Sequence, residues 1–319
     1  MRAPARRWAV LAVVLGTAAA ALAVSSAAIA QSASNRTLCE GAKVSHDDRI
    51  KGCSGIIDAG RARGRTLAIA YCNRGYALTE NNELDRALAD LNEAVKIDAK
   101  YPCSYSNRGR VLQAKGDLDG ALADYDRAIS LDPKLAIAYN NRGDAWMKKG
   151  DLDQAIASFD QAIKLNSKSA AAYGNRGYAW YRKKNFDKAL ADYTQQIKLA
   201  PSDVLAFINR GNARRDQGET DRALADYSEV IKLAPDDARG WRNRGLMHLV
   251  KDDFEKALAD YDQAIKLDPN DAYSFNNRGI ARVGKGDRTG AVADFRKALI
   301  LNPNLQQTRD QLKALGATP

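Results

Sequence analysis

A chain of 319 residues would on length alone suggest two domains, and its 45% apolar and 28% charged side chains are enough to bury an extended core. The formal charge of +10 permits attraction to anionic partners without demanding nucleic acid, and no dense Lys/Arg block interleaved with aromatics is present to read RNA or DNA.

The first 30 residues stand apart. Arg2, Arg6 and Arg7 precede an apolar run from Trp8 to Val24, and Ala28-Ile29-Ala30 offers a small-x-small cleavage site before Gln31. This pattern predicts a signal segment at 1–30 and a periplasmic or secreted protein. The alternative is an uncleaved anchor holding the protein at a membrane, since the run approaches the ~20 residues a spanning helix needs. Cleavage would remove three arginines and no acid, lowering the charge from +10 to +7.

All four cysteines, Cys39, Cys53, Cys72 and Cys103, lie in the first third of the mature chain that cleavage would leave. In an oxidising compartment they predict two disulfides with three connectivities open. Their spacing contains no Cys-x-x-Cys, and only His46 is near, so a metal site is the weaker reading. Residues 36–60 predict a degenerate hairpin, Thr37 to Lys43 and Asp48 to Ile57, with Ile50, Cys53 and Ile57 on one helical stripe. A Cys39–Cys53 bridge would staple these helices into an N-terminal cap spanning 31–67. The basic run Gly60-Arg61-Ala62-Arg63-Gly64-Arg65 connects it to the rest.

From residue 68 the chain repeats every 34 residues. Asn-Arg-Gly recurs at Asn73, Asn107, Asn141, Asn175, Asn209, Asn243 and Asn277, each followed by Arg and Gly. The fourth slot is always aromatic (Tyr71, Tyr105, Tyr139, Tyr173, Phe207, Trp241, Phe275) and the twentieth always alanine, Ala87 to Ala291. The twenty-fourth runs from Leu91 through Tyr125, Phe159, Tyr193, Tyr227 and Tyr261 to Phe295, and a proline closes most units. A constant period means one supersecondary unit copied and stacked. The pattern over 68–303 resembles the tetratricopeptide repeat (TPR), with seven units. The resemblance implies an all-α fold, a right-handed superhelix (α-solenoid) of antiparallel helix pairs, each a helix A followed by a helix B.

Small residues at slots eight and twenty let the two helices approach, and the aromatics fill the space beside them. Gly116, Gly150, Gly218 and Gly286 are placed to end helix A in a left-handed cap, where Asn82, Lys184 and Asp252 stand in the other repeats. Proline stops helix B. Residues 304–319 hold a polar capping helix from Asn304 to Leu315, ended by Gly316.

No His-Glu-x-x-His or Gly-x-Ser-x-Gly occurs, and two histidines build no triad, so neither catalysis nor a cofactor or metal is expected. Gly279 to Gly286 lies one residue from a phosphate-binding loop, but no strand precedes it and its glycines already have repeat slots. The resemblance places the triplet asparagines on the concave face of helix A, as a ladder offering amides to an extended peptide. Their alternative role is scaffold. Arginine replaces the apolar residue usual in the family and travels with Asp90, Asp124, Asp192, Asp226, Asp260 and Asp294 at slot twenty-three. Six salt bridges from helix A to helix B are expected, with Arg142, opposite Ser158, either unpaired or turning to another acceptor.

Specificity would come from the variable slots, where Arg110, Asp144, Lys148, Tyr178, Tyr181, Arg182, Arg215, Arg239 and Arg242 make a polar, net basic face. Cys72 and Cys103 occupy such slots in adjacent units, which favours the pairing Cys72–Cys103 with Cys39–Cys53. The carboxylate clamp of chaperone-binding TPR proteins does not carry over, because asparagine fills the slot where the clamp needs arginine. The expected function is a scaffold holding an extended peptide of a partner protein. A basic groove for an anionic envelope polymer or membrane surface is the alternative, and self-association through the repeat ends a third.

Overall fold

The computed structural model describes residues 31–318, and every regular element among them is an α-helix. The expected signal segment at 1–30 lies outside the described residues. No described helix is long and apolar enough to cross a membrane. The chain divides into two compact units, one ending at Asp151 and the other starting at Leu152.

The first unit contains α1 (31–40), α2 (His46–Asp58), α3 (Gly64–Glu80), α4 (Leu84–Ile97), α5 (Pro102–Ala114), α6 (Leu118–Leu131) and α7 (Ala136–Lys149). The second contains α8 (Leu152–Leu165), α9 (Ala170–Arg182), α10 (Phe186–Leu199), α11 (Val204–Asp216), α12 (Thr220–Leu233), α13 (Ala238–Val250), α14 (Phe254–Leu267), α15 (Ala272–Gly284), α16 (Arg288–Leu301) and α17 (Gln306–Ala314). Within each unit every helix packs on the next, and A helices of successive pairs also touch, as α3 touches α5 and α5 touches α7.

The 34-residue pattern explains these elements. In α4 the residues Ala87, Asp90, Leu91 and Ala94 share one buried stripe at i, i+3, i+4 and i+7, and later B helices repeat it. Helix A buries small residues instead, among them Ala77, Ala145, Ala179, Ala213 and Ala281. The left-handed turns fall where glycine predicted them, with φ from 79° to 89° at Gly116, Gly150, Gly218 and Gly286. Asn82, Lys184 and Asp252 adopt the same conformation at φ 61°, 58° and 55° with a Cβ to accommodate. Helices α6, α10, α12, α14 and α16 end two residues ahead of a proline.

The cap differs in detail from expectation. Its first helix spans 31–40 rather than running to Lys43, because Arg49 donates to the carbonyls of Cys39 (2.9 Å) and Gly41 (2.7 Å) and so closes its C-terminus. The second starts earlier, at His46, where the Ser45 hydroxyl accepts the Asp48 amide. Cys39 and Cys53 are bonded and fully buried beside Ala70, Ile56 and Ile57.

Close approach of paired helices inside each unit rests on the eighth slot. A Cβ on Gly109 would lie 2.7 Å from the Tyr125 ring and 3.1 Å from the Ala121 carbonyl oxygen. Tyr125 is fully buried and its hydroxyl donates to Gln113, so the ring has nowhere to go. On Gly245 the nearest atoms are 3.2 Å away. Gly109→Ala is therefore expected to destabilise by about 1–3 kcal/mol despite the ~1 kcal/mol gain in helix propensity, and Gly245→Ala to fall within about 0.5 kcal/mol of neutral. Urea unfolding of the two variants checks this, and equal effects would contradict it.

Candidate functional site

Most of the repeated side chains hold the helices together, and the candidate site is what they leave over. All six expected arginine–aspartate pairs form: Arg74–Asp90, Arg108–Asp124, Arg176–Asp192, Arg210–Asp226, Arg244–Asp260 and Arg278–Asp294. Each is bidentate, Nε and Nη2 donating at 2.6–3.2 Å. The aspartate side chains retain only 3–9% exposure, which makes these charges interior ones. The aspartate hydrogen bonds hold the guanidinium groups of Arg74, Arg108, Arg176 and Arg278 above their ordinary range. Each of the seven arginines also lies over the aromatic ring three residues earlier, at 5.1–5.6 Å.

The third guanidinium nitrogen reaches back to the preceding B helix. Arg108, Arg176, Arg210 and Arg278 donate to Asn92, Asp160, Thr194 and Asp262, each 16 residues earlier. Arg142 uses the equivalent Asp126 at 2.8 Å, the other acceptor expected of it. Asp226 and Asp294 receive a second arginine, Arg214 at 2.8 Å and Arg282 at 3.0 Å.

A second ladder was not expected from the sequence. Lys115, Lys149, Lys183, Gln217, Lys251 and Lys285 close helix A and donate to Asp85, Asp119, Asp153, Asp187, Asp221 and Glu255, each 30 residues earlier in the first turn of the previous B helix. Both signs are where helix dipoles favour them. The signal was present as lysine at slot fourteen and an acid at slot eighteen. The acids are 67–92% exposed in the five ion pairs, so each pair adds little.

With these residues assigned, the variable slots of helix A remain. In the first unit α3, α5 and α7 enclose a cavity of about 600 Å³ lined by Asn73, Asn107 and Asn141 together with Tyr76, Tyr101 and Ile137. The asparagines are partly committed to the protein. Asn73 donates to the Cys39 carbonyl at 3.1 Å, Asn107 donates to the Cys72 sulfur at 3.2 Å, and the Asn141 amide nitrogen is buried without an acceptor. In the second unit Asn175 and Asn209 are half-buried, Asn243 is 8% exposed, and Asn277 accepts from Asn276. The ladder is thus set into the wall rather than standing out from it.

The expected Cys72–Cys103 bridge is corrected. Both are thiols lining this cavity; Cys72 packs in the core cluster with Leu78 and Leu91, where burial pushes its thiol up to about 12 and its sulfur serves as acceptor for Asn107.

The second unit gathers the predicted polar face. Tyr178 stacks on Tyr181 with centroids 6.4 Å apart, and Arg182 lies over Tyr178. The Tyr181 hydroxyl donates to Asp216 at 2.5 Å, and Asp216 also receives Arg215. Arg239 is tied to Asp237 at its own helix start and Arg242 reaches Asp271 at 3.4 Å. In the first unit Arg110 pairs with Glu80 and Lys148 with Asp144. The net basic face expected from these residues is therefore largely neutralised in place. No group of three or more His, Cys, Asp or Glu among the described residues could hold a metal, and Gly279 and Gly286 serve ring packing and a turn.

The interior pairs and the surface ladder should separate in a stability measurement. Asp226→Ala strands two arginines and is expected to cost about 3–5 kcal/mol. Lys183→Met is expected to cost under about 1 kcal/mol. Comparable losses in chemical denaturation would refute the distinction.

Models described as tetratricopeptide repeat match residues 147–204, 208–272 and 246–316, and one described as TPR repeat matches 75–116 and 109–150. No curated protein matches the chain. Among solved structures, the fold is similar to that of the APC/C hetero-tetramer Cut9-Hcn1 (TM-score 0.62, 17% identity), covering 85% of this chain and 52% of that one. The chain thus spans about half the length of that match. It is also similar to the C-terminal part of a TPR repeat-containing protein from Cytophaga hutchinsonii (0.61, 22% identity, 76% and 99% covered). A third is YrrB, described as a TPR protein with an unusual peptide-binding site (0.50, 25% identity, 58% and 95% covered). Repeat by repeat, in residues and in helix pairs, the chain belongs to the tetratricopeptide repeat family.

Proposed function

We propose that this protein–protein interaction scaffold holds an extended segment of a partner protein against the A-helix faces, with no chemistry of its own. The observation that carries this reading is the division of labour among slots. Arginine, aspartate, glycine and the buried aromatics are consumed by the scaffold, whereas Ile137, Tyr178, Leu205 and Tyr273 on helix A remain 39–55% exposed. Apolar side chains left open beside amides suit a peptide that offers both main chain and side chains. The peptide-binding description of YrrB supports the same reading. Pairing of Arg110, Arg215, Arg239 and Arg242 with carboxylates weakens the case for an anionic polymer or membrane surface.

We place the protein outside the cytoplasm, in the periplasm or secreted. The buried Cys39–Cys53 disulfide supports this, since such bonds persist in oxidising compartments. N-terminal sequencing of the natural protein is expected to start at Gln31; an intact Met1 would favour the membrane-anchored alternative.

Photo-crosslinking residues placed at Tyr178 and Leu205, exposed on A helices of the second unit, are expected to capture one contiguous segment of a partner, and placed at Leu165 and Ile300 on its B helices to capture nothing. Asn175→Ala and Asn209→Ala should each weaken that capture by about 1 kcal/mol. Capture from the B-helix positions alone would overturn the assignment.

A further inference from the structure

Three consecutive repeats of the second unit carry a cationic or titratable side chain at slot eleven of helix A, where the earlier repeats have Leu78, Leu112, Trp146 and Trp180. Arg214 and Arg282 use the position to give the aspartate of their own B helix a second cation, at 2.8 Å to Asp226 and 3.0 Å to Asp294. Between them stands His248, 12 residues before Asp260 as each arginine is before its aspartate.

The imidazole is too short for the same reach. Its Nε2 stops 3.9 Å from Asp260 Oδ2 and its Nδ1 4.0 Å from Asp253 Oδ2, both beyond hydrogen-bond distance, while the side chain keeps only 14% exposure. Both oxygens of Asp260 are already taken by Arg244, at 2.7 and 2.9 Å, and Asp253 is held by Lys256 at 2.7 Å. A proton on His248 therefore sets a charge in a mostly buried place, with neither carboxylate within hydrogen-bond distance and Arg244 and Lys256 as cationic neighbours.

The other charges around this pair are engaged elsewhere. Asp221, Asp226 and Glu229 of α12 are held by Lys251, by Arg210 with Arg214, and by Lys232. Glu255 and Asp262 of α14 are held by Lys285 and Arg278, and Arg282 of α15 by Asp294. On α13 itself Arg239 and Arg242 turn to Asp237 and Asp271, and Asp252 in the following turn is exposed.

Burial, reinforced by Arg244 and Lys256, outweighs the pull of Asp260 and Asp253 and holds the His248 imidazole below its ordinary value of 6.5. A folded value below the unfolded one supplies stability that is present above about pH 6.5 and lost as the pH falls through the folded value. Arg214 and Arg282 stay charged throughout, so the change is confined to one helix pair.

We propose that the α13–α14 pair is an acid-sensitive joint of the second unit: protonation of His248 puts a second cation, lacking a hydrogen-bonded partner, beside Arg244 at Asp260 and loosens this pair ahead of α11–α12 and α15–α16. In a stack where each repeat touches only its neighbours, one pair can open without the rest. The joint is independent of the groove reading.

Amide hydrogen exchange of the whole protein, corrected for the intrinsic effect of pH on amide chemistry, tests it. Between about pH 7.5 and about pH 5, exchange in α13–α14 is expected to speed up by about threefold or more, with α11–α12 and α15–α16 staying within about twofold. The His248 ring signals are expected to titrate with a midpoint below 6.5. His248→Arg copies the flanking repeats and His248→Leu copies the first two, and each should remove the response. No response in α13–α14, an equal response in all three pairs, a His248 midpoint at or above 6.5, or a response that survives in either variant overturns the proposal.

Discussion

A guanidinium clamped between helices is the constraint on which the rest depends. In a helix pair the position after the triplet asparagine faces the interior, where an apolar residue would serve. Arginine there must be satisfied, and in six of the seven repeats two of its nitrogens rest on the aspartate of its own B helix, with a third on the preceding B helix in most repeats and its face on an aromatic ring. Ion pairs of this kind gain little over an apolar substitute because desolvation offsets attraction. What they supply is geometry, since five donors in a rigid fork accept one arrangement of the neighbouring helices. Register along the stack then follows from chemistry as well as shape.

The glycine after it makes the clamp possible. With no Cβ at Gly109 or Gly279, the ring at slot twenty-four lies against the A-helix backbone, drawing helix B within reach of the arginine. Arginine and glycine are thus consumed by the scaffold, the asparagine before them is partly committed to it as well, and the variable slots beside them are what the groove reading proposed above assigns to a partner. The cap meets a different need. Among the described residues it has a neighbour on one side only and little apolar surface, and the Cys39–Cys53 bond with Arg49 and Asn73 supplies what packing does not.

Much of this was legible in the residues because the repeat is long, unbroken and chemically redundant. Seven copies turn a weak local signal, such as aspartate at slot twenty-three, into a correlation with arginine at slot seven, and one exception, Ser158, coincides with the arginine that uses Asp126. Ladders connecting different repeats were harder to see. Lysine at slot fourteen and acid at slot eighteen are ordinary helix-end residues, and nothing in one unit says that they meet across the boundary to the next. Side-chain direction was not legible at all. An amide offers both a donor and an acceptor until its surroundings choose, and the choice at Asn73 is made by a carbonyl in a cap that lies outside the repeat. The cysteines failed for a related reason: neighbouring slots bring Cys72 and Cys103 to one wall without deciding whether Cys72 bonds sulfur or receives Asn107.

Arginine and aspartate act on each other across the helix pair, and this mutual commitment is what fixes the pair. A double-mutant cycle on Arg176 and Asp192, each replaced by methionine singly and together, measures that coupling free of the losses each substitution causes elsewhere. The expected coupling energy is about 2–3 kcal/mol, with the double variant recovering much of the stability that either single change removes. Additive losses, with coupling below about 0.5 kcal/mol, would contradict it.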